Sequence, residues 1–248
     1  MGPAISKKLD IDAINRQLAD CGAEDIVQWA RGQFGHQLVM TTSFGAQAAV
    51  MLHLVTQIVP DIPVIWIDTG FNFPETYHFA DALTKQLRLN LKVYQSPLSP
   101  ARMVARHGRI WEQGRRGLEV YDQIRKIEPQ KRAMKELGVS AWLTGPRRTQ
   151  TGFRQTLRYV EPLNRIFKIH PILEWTAQQV HAYLKSHGLA YHPLVDRGYS
   201  SIGDWHSTNP VTGGLDDRQG RFRGLKQECG LHLPATQEED ASRNSSGL

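Results

Sequence analysis

Short apolar segments alternate with longer segments of helical character along most of this chain. The short segments have the length of strands and lie at residues 37–42, 64–68, 91–96, 141–145 and 166–172. Segments with the composition and spacing of helices lie at residues 9–19, 48–59, 74–87, 103–114, 128–138 and 175–188. Strands that alternate with helices predict an α/β fold, in which a mostly parallel sheet carries helices on both faces.

The pattern changes only near the C-terminus. No clear linker divides the chain before that point, so we expect one α/β domain over residues 1–215, including the N-terminal helix. Residues 237–246, QEEDASRNSS, are polar and acidic. We therefore expect residues 216–248 to form a flexible C-terminal segment.

Composition argues against several classes of protein. The chain has 248 residues, of which 40% are hydrophobic and 22% are charged, as in an ordinary globular protein. No apolar run approaches the ~20 residues of a membrane helix, and the N-terminus lacks the apolar core of a signal peptide, so we expect a cytoplasmic location. The two cysteines, Cys21 and Cys229, supply neither a disulfide framework nor a metal-binding spacing.

The formal net charge is +6. By itself this value fits a basic protein without any anionic partner as well as a protein that binds a nucleotide or a nucleic acid. The positions of the arginines have to separate these interpretations. Parallel α/β sheets bind their ligands at the carboxyl ends of the strands, so the residues that follow each strand are the ones to compare.

Three predicted strands end in residues suited to an anionic nucleotide. The first runs into Ser43-Phe44-Gly45-Ala46-Gln47, where free N–H groups at a helix start attract anions, although a simple tight turn explains this stretch equally well. The second ends in Asp68-Thr69-Gly70, in which the carboxylate either binds a nucleoside or caps the next helix. The fourth is followed by Arg147, Arg148 and Arg154, whose guanidinium groups suit phosphate oxygens. Together the three ends predict a pocket for an adenine nucleotide with extra negative charge.

A series of ordered motifs over about residues 35–232 gives the chain a resemblance to a known family. The motifs are TTSFGAQAAV, IDTGFNFPETY, KIEP at 126–129, GPRRTQTGFR, YHPL at 191–194, IGDWHST at 202–208 and ECGLH at 228–232. In this order they resemble the phosphoadenylyl-sulfate (PAPS) reductases of assimilatory sulfate reduction. That resemblance implies a Rossmann-like fold of the adenine-nucleotide α-hydrolase-like type.

The resemblance assigns roles to the strand-end residues. It implies that the SFGAQ loop, with Ser43, Phe44, Gly45 and Gln47, binds phosphate, and that Asp68, Thr69 and Gly70 contact the nucleoside. It also implies that the phosphosulfate and phosphates are surrounded by Lys126, Arg147, Arg148 and Arg154. Relatives that cleave ATP carry SGGxDS in this loop. Here Phe44 replaces the first Gly and Gln47 replaces the Asp, which favours binding without ATP cleavage.

The same resemblance implies that Cys229 is the nucleophile. Its thiolate would attack the sulfur of the bound phosphosulfate, and a thioredoxin or glutaredoxin thiolate would then release sulfite. Arg221 and His232, with Arg223 and Lys226, would lower the pKa of this thiol and offset the charge of the substrate, while Glu228 acts in the opposite direction. No thioredoxin-like domain follows Cys229, so we expect a separate protein to supply the electrons. The family also suggests a homodimer.

The residues before KIEP bear on the choice of substrate. The related adenylyl-sulfate (APS) reductases usually hold an iron–sulfur cluster through a cysteine pair at this place. Here the place reads Val120-Tyr121-Asp122-Gln123-Ile124-Arg125-Lys126 and contains no cysteine. We therefore expect no cluster, no other bound cofactor, and PAPS as the substrate.

Three other functions stay open at this point. A cluster-free APS reductase fits the same motifs. An ATP-dependent adenylating enzyme is disfavoured by Phe44 and Gln47. A basic nucleotide- or RNA-binding protein without catalysis gives Cys229 no purpose, and aromatic residues interleaved with basic ones are not evident. We therefore expect no nucleic-acid partner and no membrane partner.

Overall fold

The computed structural model describes residues 9–163, 166–211 and 220–222. Within these ranges the α-helices are α1 Ile11–Leu18, α2 Ala23–Phe34, α3 Ala48–Ile58, α4 Pro74–Leu87, α5 Pro100–His107, α6 Gly114–Asp122, α7 Glu128–Glu136 and α8 Ala177–Ser186. The strands are β1 Leu38–Thr42, β2 Pro63–Ile67, β3 Asn90–Tyr94, β4 Ala141–Leu143, β5 Val160–Leu163 and β6 Ile166–Ile169. No helix among these residues is both long and apolar enough to cross a membrane.

The strands form one sheet in the order β3-β2-β1-β4-β6-β5. All neighbouring pairs are parallel except β5 and β6, which are antiparallel. This confirms the predicted mostly parallel α/β sheet. Strands β2 and β3 lie on one side of β1, and β4 and the strands after it lie on the other. The strand order therefore reverses between β1 and β4, and such sheets bind ligands at this switch point.

Side chains of the central strands alternate between the two faces of the sheet. In β1, Leu38 and Met40 join the larger hydrophobic core, whereas Val39 joins a smaller core on the opposite face. In β4, Ala141 and Leu143 face the larger core and Trp142 faces the smaller one. This two-residue period buries both faces, which explains why the sequence shows continuous apolar runs here.

Strand β5, helix α2 and most of helix α6 fall outside the segments predicted from the sequence. Strand β5 reads VEPL, and its Pro162 is compatible only with an edge strand. The edge is covered by Asn15 of α1, whose side chain donates to the Val160 carbonyl at 2.9 Å and accepts from the Val160 N–H at 3.0 Å. Helix α2 buries Ile26, Val27, Ala30 and Phe34, a spacing that the sequence does carry.

A wide helical turn lies between α6 and α7. Residues Gln123–Ile127 form a π-helix, and the Glu128 N–H donates to the Gln123 carbonyl five residues earlier. Such turns are rare and frequently accompany functional sites. This one places Arg125 and Lys126 in the interior of the protein.

A third hydrophobic cluster packs around these helices. Its buried members are Phe71, Met103, Ile110, Trp111, Leu118, Tyr121 and Phe222. It lies beside the end of β2, because Phe71 follows that strand by four residues. The π-helical cations therefore sit between an aromatic cluster and the ligand-binding edge of the sheet.

Candidate active site

A pocket opens at the carboxyl ends of β1 and β4, and we call it the arginine pocket. Its polar lining consists of Thr41, Thr42, Ser43, Gly45, Gln47, Thr144, Gly145, Arg147, Gln150, Arg154, Ser200 and Ser201. It encloses about 200 Å³. The pocket thus unites two of the three strand ends that the sequence singled out.

The SFGAQ loop forms one wall of the arginine pocket. Ser43, Gly45 and Gln47 line the cavity, but Phe44 does not. Phe44 adopts a φ of +47°, its N–H donates to the Thr42 hydroxyl at 3.1 Å, and its ring packs on Trp66 at 5.0 Å. The left-handed backbone at Phe44 turns that ring into the core, while its two neighbours face the cavity.

Arg147 and Arg154 form the opposite wall. Arg147 is buried and donates from Nη2 to Gln47 Oε1 at 2.7 Å. Gln150 accepts from the Arg147 N–H at 3.0 Å and also from the Arg154 guanidinium. Both arginines are thus held by neutral amides. No acidic side chain lines this pocket among the residues that the structure describes, so its electrostatic potential suits an anion.

Arg148 lies outside the arginine pocket, although the resemblance implied a role for it there. Its guanidinium pairs with Glu174 and donates to the Leu157 carbonyl, with 3.1 Å from Nε. Its partners therefore lie on the side of the loop away from the cavity. Adjacent arginines in the same loop thus face opposite directions.

Asp68 is buried beyond the end of β2 and does not line the arginine pocket. Its carboxylate accepts four hydrogen bonds, from Gly70 N at 2.9 Å, Asn72 Nδ2 at 3.0 Å, Tyr77 Oη at 2.8 Å and Gln95 Nε2 at 2.6 Å. Burial, together with the bond to Asp68, raises the pKa of Tyr77 to about 12, which keeps it a donor. In this structure Asp68 shapes the loop that contains Thr69 and Gly70.

A second group of charged side chains lies next to that loop, and we call it the charge cluster. It comprises Asp122, Arg125, Lys126, Asp204 and Arg221, all of them buried. The Lys126 ammonium lies 3.1 Å from Asp122 Oδ1 and 2.9 Å from Asp204 Oδ2. Asp204 also accepts from the Thr69 hydroxyl. Arg125 donates from Nε to the Thr69 carbonyl at 2.7 Å.

Burial and charge set the protonation of this region. Burial by itself would raise the pKa of Asp204, but Lys126, and then His206 and Thr69, outweigh it and hold that pKa below its usual value. Burial lowers the pKa of His206 to about 4, so this imidazole is neutral. Burial likewise raises the pKa of Tyr121 well above its ordinary value. Asp204 is therefore the ionised acid among these three groups.

His206 lies in an aromatic cage at the edge of the charge cluster. Its ring stacks on Trp111 with centroids 4.4 Å apart and meets Tyr121 edge-on at 4.7 Å. Among the described residues neither ring nitrogen has a hydrogen-bond partner. These ring contacts explain how a neutral imidazole is accommodated there.

One segment, residues 200–208, touches both regions. Ser200, Ser201 and Ile202 line the arginine pocket, whereas Gly203 and the residues after it border the charge cluster. A Cβ atom at position 203 would overlap the guanidinium of Arg221, so only glycine fits without displacing that side chain. Arg221 also pairs with Thr208 through an isolated β-bridge. The segment therefore forms a shared wall.

The structure brings the predicted residues together in two groups rather than one. Ser43, Gly45, Gln47, Arg147 and Arg154 meet in the arginine pocket, and Lys126 and Arg221 meet in the charge cluster, with Thr69 and Gly70 in the adjoining loop. Cys229 and His232 lie outside the described residues, as do Arg223, Lys226 and Glu228.

Several polar residues of these regions were not predicted. They are Gln150 in the arginine pocket, Gln95 on Asp68, and Asp122, Arg125 and Asp204 in the charge cluster. Asp204 belongs to the IGDWHST motif, so its position carried a signal. Within the described ranges, no group of three or more His, Cys, Asp or Glu side chains is arranged to hold a metal ion.

Comparisons of sequence point to one family. The sequence model of a family described as the phosphoadenosine phosphosulfate reductase domain matches residues 37–210. A Synechocystis sp. protein named phosphoadenosine 5'-phosphosulfate reductase is 56% identical over 243 residues, which cover 97% of this chain and 98% of that protein. A Synechococcus sp. protein of the same name is 57% identical over 222 residues, covering 89% of this chain and 96% of its own length.

Comparisons of structure agree with this. The crystal structure of phosphoadenylyl-sulfate (PAPS) reductase from Candida auris, a phosphate complex, aligns with a TM-score of 0.72 at 34% identity. The alignment covers 84% of this chain and 100% of that one. Candida glabrata FMN adenylyltransferase aligns with a TM-score of 0.53 at 13% identity, covering 95% of this chain and 82% of that chain, which is a likeness of fold alone.

Proposed function

The chain belongs to the phosphoadenosine phosphosulfate reductase family and is an oxidoreductase, and from that premise we propose that it reduces 3'-phosphoadenylyl sulfate to sulfite and adenosine 3',5'-bisphosphate. The electrons come from a reduced thioredoxin or glutaredoxin. The sequence-based expectations of a homodimer, of a cytoplasmic location and of no resident cofactor stay predictions.

The arginine pocket is the observation that carries this proposal. It holds two arginines at the switch point of a parallel sheet, both of which donate to neutral glutamines, and no carboxylate among the described residues lines it. Carboxylates beside a guanidinium would compete with a phosphate for the same donors, whereas amides leave the positive charge available. The bisphosphate of the nucleotide binds here, with Ser43, Gly45 and Gln47 on the facing wall.

The sulfonate end of the substrate points towards the charge cluster in this proposal. The shared wall 200–208 leads from one region to the other, and Lys126 and Arg221 supply cations at its far end. Asp68, Thr69 and Gly70 act through the shape of the loop between β2 and α4, which Asp68 fixes by four accepted hydrogen bonds. Phe44 supports the SFGAQ loop from the core.

Cys229 is the nucleophile of the reaction. Its thiol gives up a proton, and the thiolate attacks the sulfur of the phosphosulfate while the S–O bond to adenosine 3',5'-bisphosphate breaks. The enzyme is left as Cys–S–SO3⁻. A donor thiolate then attacks the Cys229 sulfur and sulfite leaves. The second donor thiol resolves the mixed disulfide, which restores the Cys229 thiol and leaves the donor oxidised.

Sulfite release by the purified protein with reduced thioredoxin tests the reaction, with PAPS and APS assayed in parallel. We expect turnover of PAPS and little turnover of APS. The variant Cys229→Ser should form no sulfite yet bind adenosine 3',5'-bisphosphate like the parent protein. Cys21→Ser is the matched control and should keep full turnover. The Cys21 thiol donates to the Gln17 carbonyl at 3.4 Å, and Cys21 does not line the arginine pocket. Turnover by Cys229→Ser would exclude this mechanism, and a preference for APS would make the protein a cluster-free APS reductase.

A further inference from the structure

Two carboxylates contact the single positive charge of Lys126. Its ammonium contacts Asp122 at 3.1 Å and Asp204 at 2.9 Å, and all three side chains are almost fully buried. An isolated ammonium at this depth would attract any anion strongly, because solvent screens buried charges little. The two carboxylates cancel that attraction before a ligand arrives.

The wider surroundings are also balanced. The buried cations are Arg125, Lys126 and Arg221, and the buried carboxylates are Asp68, Asp122 and Asp204. Arg125 interacts electrostatically with both Asp68 and Asp204. Among the residues that the structure describes, three positive charges therefore face three negative charges. The arginine pocket, a few residues away along the shared wall, has two cations and no lining carboxylate among the described residues.

The two carboxylates on Lys126 are built in differently. Asp204 comes from the shared wall and also accepts from the Thr69 hydroxyl, and its carbonyl accepts from the Thr208 hydroxyl at 2.9 Å. It therefore ties Lys126 to two other parts of the site. Asp122 lies four residues before Lys126 on the same helical run, so it joins Lys126 to no separate loop or strand through this ion pair.

We propose that the two carboxylates have opposite effects on ligand affinity: Asp122 weakens the affinity of Lys126 for anions, whereas Asp204 positions Lys126 and Thr69 for binding. This inference rests on the proposed function, with Lys126 facing the phosphosulfate, whose phosphate stays on the product as the 5'-phosphate. A reductase must release a multiply charged bisphosphate after each turnover. A buried lysine with less negative charge around it would bind that product more tightly and slow its release. Asp122 therefore lowers the affinity for the product and raises the rate of turnover.

Neutralising each carboxylate separately tests the proposal, because the two variants should change affinity in opposite directions. Asp122→Asn should tighten binding of adenosine 3',5'-bisphosphate about three- to tenfold, the size expected for one removed charge near a partly screened site. Its kcat and KM should fall together, since product release becomes slower. Asp204→Asn should weaken binding of the bisphosphate by a similar factor. Titration calorimetry and steady-state kinetics measure these changes.

Two controls separate this effect from general changes. Asp81→Asn removes an equal charge from the exposed surface of α4 and should leave the affinity unchanged. Asp122→Glu keeps the charge, so its affinity and kcat should lie closer to the parental values than those of Asp122→Asn, which a loss of packing would not predict. Thermal unfolding identifies any variant that fails to fold. The proposal is overturned if Asp122→Asn leaves the affinity unchanged or weakens it.

Lys126→Met separates this inference from the proposed function. Weaker product binding by Lys126→Met together with weaker binding by Asp122→Asn would overturn only the role given to Asp122. Unchanged binding by Lys126→Met would instead remove Lys126 from the substrate site, and the present inference would fall with that part of the proposed function.

Discussion

The arginine pocket and the charge cluster share one wall, but they hold their cations in opposite ways. Arg147 and Arg154 donate to the neutral amides of Gln47 and Gln150, and no carboxylate among the described residues lines their pocket. Lys126 is fixed by two carboxylates, so its charge is cancelled locally. The comparison teaches that burial of a cation does not by itself make a strong anion site. The partner that fixes its position decides how much attraction is left for a ligand.

The largest effect should come from the arginine pocket. Arg147→Ala or Arg154→Ala removes a positive charge and hydrogen-bond donors from the pocket wall, so we expect a loss of about ten- to a hundredfold in affinity for adenosine 3',5'-bisphosphate. Arg148→Ala is the matched comparison, since its guanidinium faces Glu174 and Leu157. It should lower the melting temperature and leave the affinity nearly unchanged. Equal losses of affinity in all three variants would contradict the division between the two faces of this loop.

A smaller effect should follow from the shared wall. Gly203→Ala inserts a methyl group where the Arg221 guanidinium lies, and that flexible side chain can move away more easily than the backbone. We expect turnover to fall about five- to tenfold through the loss of one charge-assisted contact, with little change in the melting temperature. Gly32→Ala in α2, where the added methyl has open space, is the control and should slightly stabilise the protein. Normal turnover by Gly203→Ala would show that turnover does not depend on the position of the Arg221 guanidinium.

The last effect concerns the pH dependence of stability and not the binding of ligand or turnover. Burial lowers the pKa of His192 to about 4 and that of His206 to about 4, against an ordinary value of 6.5. Between these values the unfolded chain binds protons that the folded protein does not bind. Stability should therefore fall as the pH drops from 6.5 towards 4, by about 1 kcal/mol per pH unit for each histidine.

Each histidine reports on one of the two regions. His192 lies behind the arginine pocket, where its backbone N–H donates to the Ala46 carbonyl at 3.1 Å. His206 lies at the charge cluster. The free energy of unfolding, measured by chemical denaturation at pH 7 and pH 5, should differ less between the two pH values for His192→Gln and His206→Gln than for the parent protein. The flattening of the pH dependence should be similar for the two variants, since both histidines have a folded-state pKa of about 4. An unchanged slope would show that the histidine concerned stays accessible to protons in the folded state.

The sequence predicted most of the sheet, because the central strands are buried on both faces and therefore appear as continuous apolar runs. It did not predict β5, whose Glu161 and Pro162 interrupt any apolar pattern and whose place depends on pairing with β6. Local pattern says nothing about a contact of that kind. The domain boundary expected near residue 215 stays a prediction.

The site was predictable where it depends on strand ends and unpredictable where it depends on side-chain direction. Parallel strands bring their carboxyl ends together, so Ser43 and Arg147 could be expected in one pocket. Which of two adjacent arginines faces that pocket depends on partners such as Glu174, which are distant in sequence. Asp204 reaches Lys126 across 78 residues of sequence, and no local pattern reveals such a pair.

The wide turn at Gln123–Ile127 also fixes the phase of the helix that follows it. A π turn holds one residue more than an α turn between hydrogen-bonded groups, and the Glu128 N–H reaches back to Gln123 for this reason. Without the extra residue, every side chain after it would rotate by about 100° around the helix axis. Ala133 and Met134 would then turn away from the sheet that they cover. The position of Lys126 and the packing of a remote core are therefore two results of the same single-residue expansion of a helix.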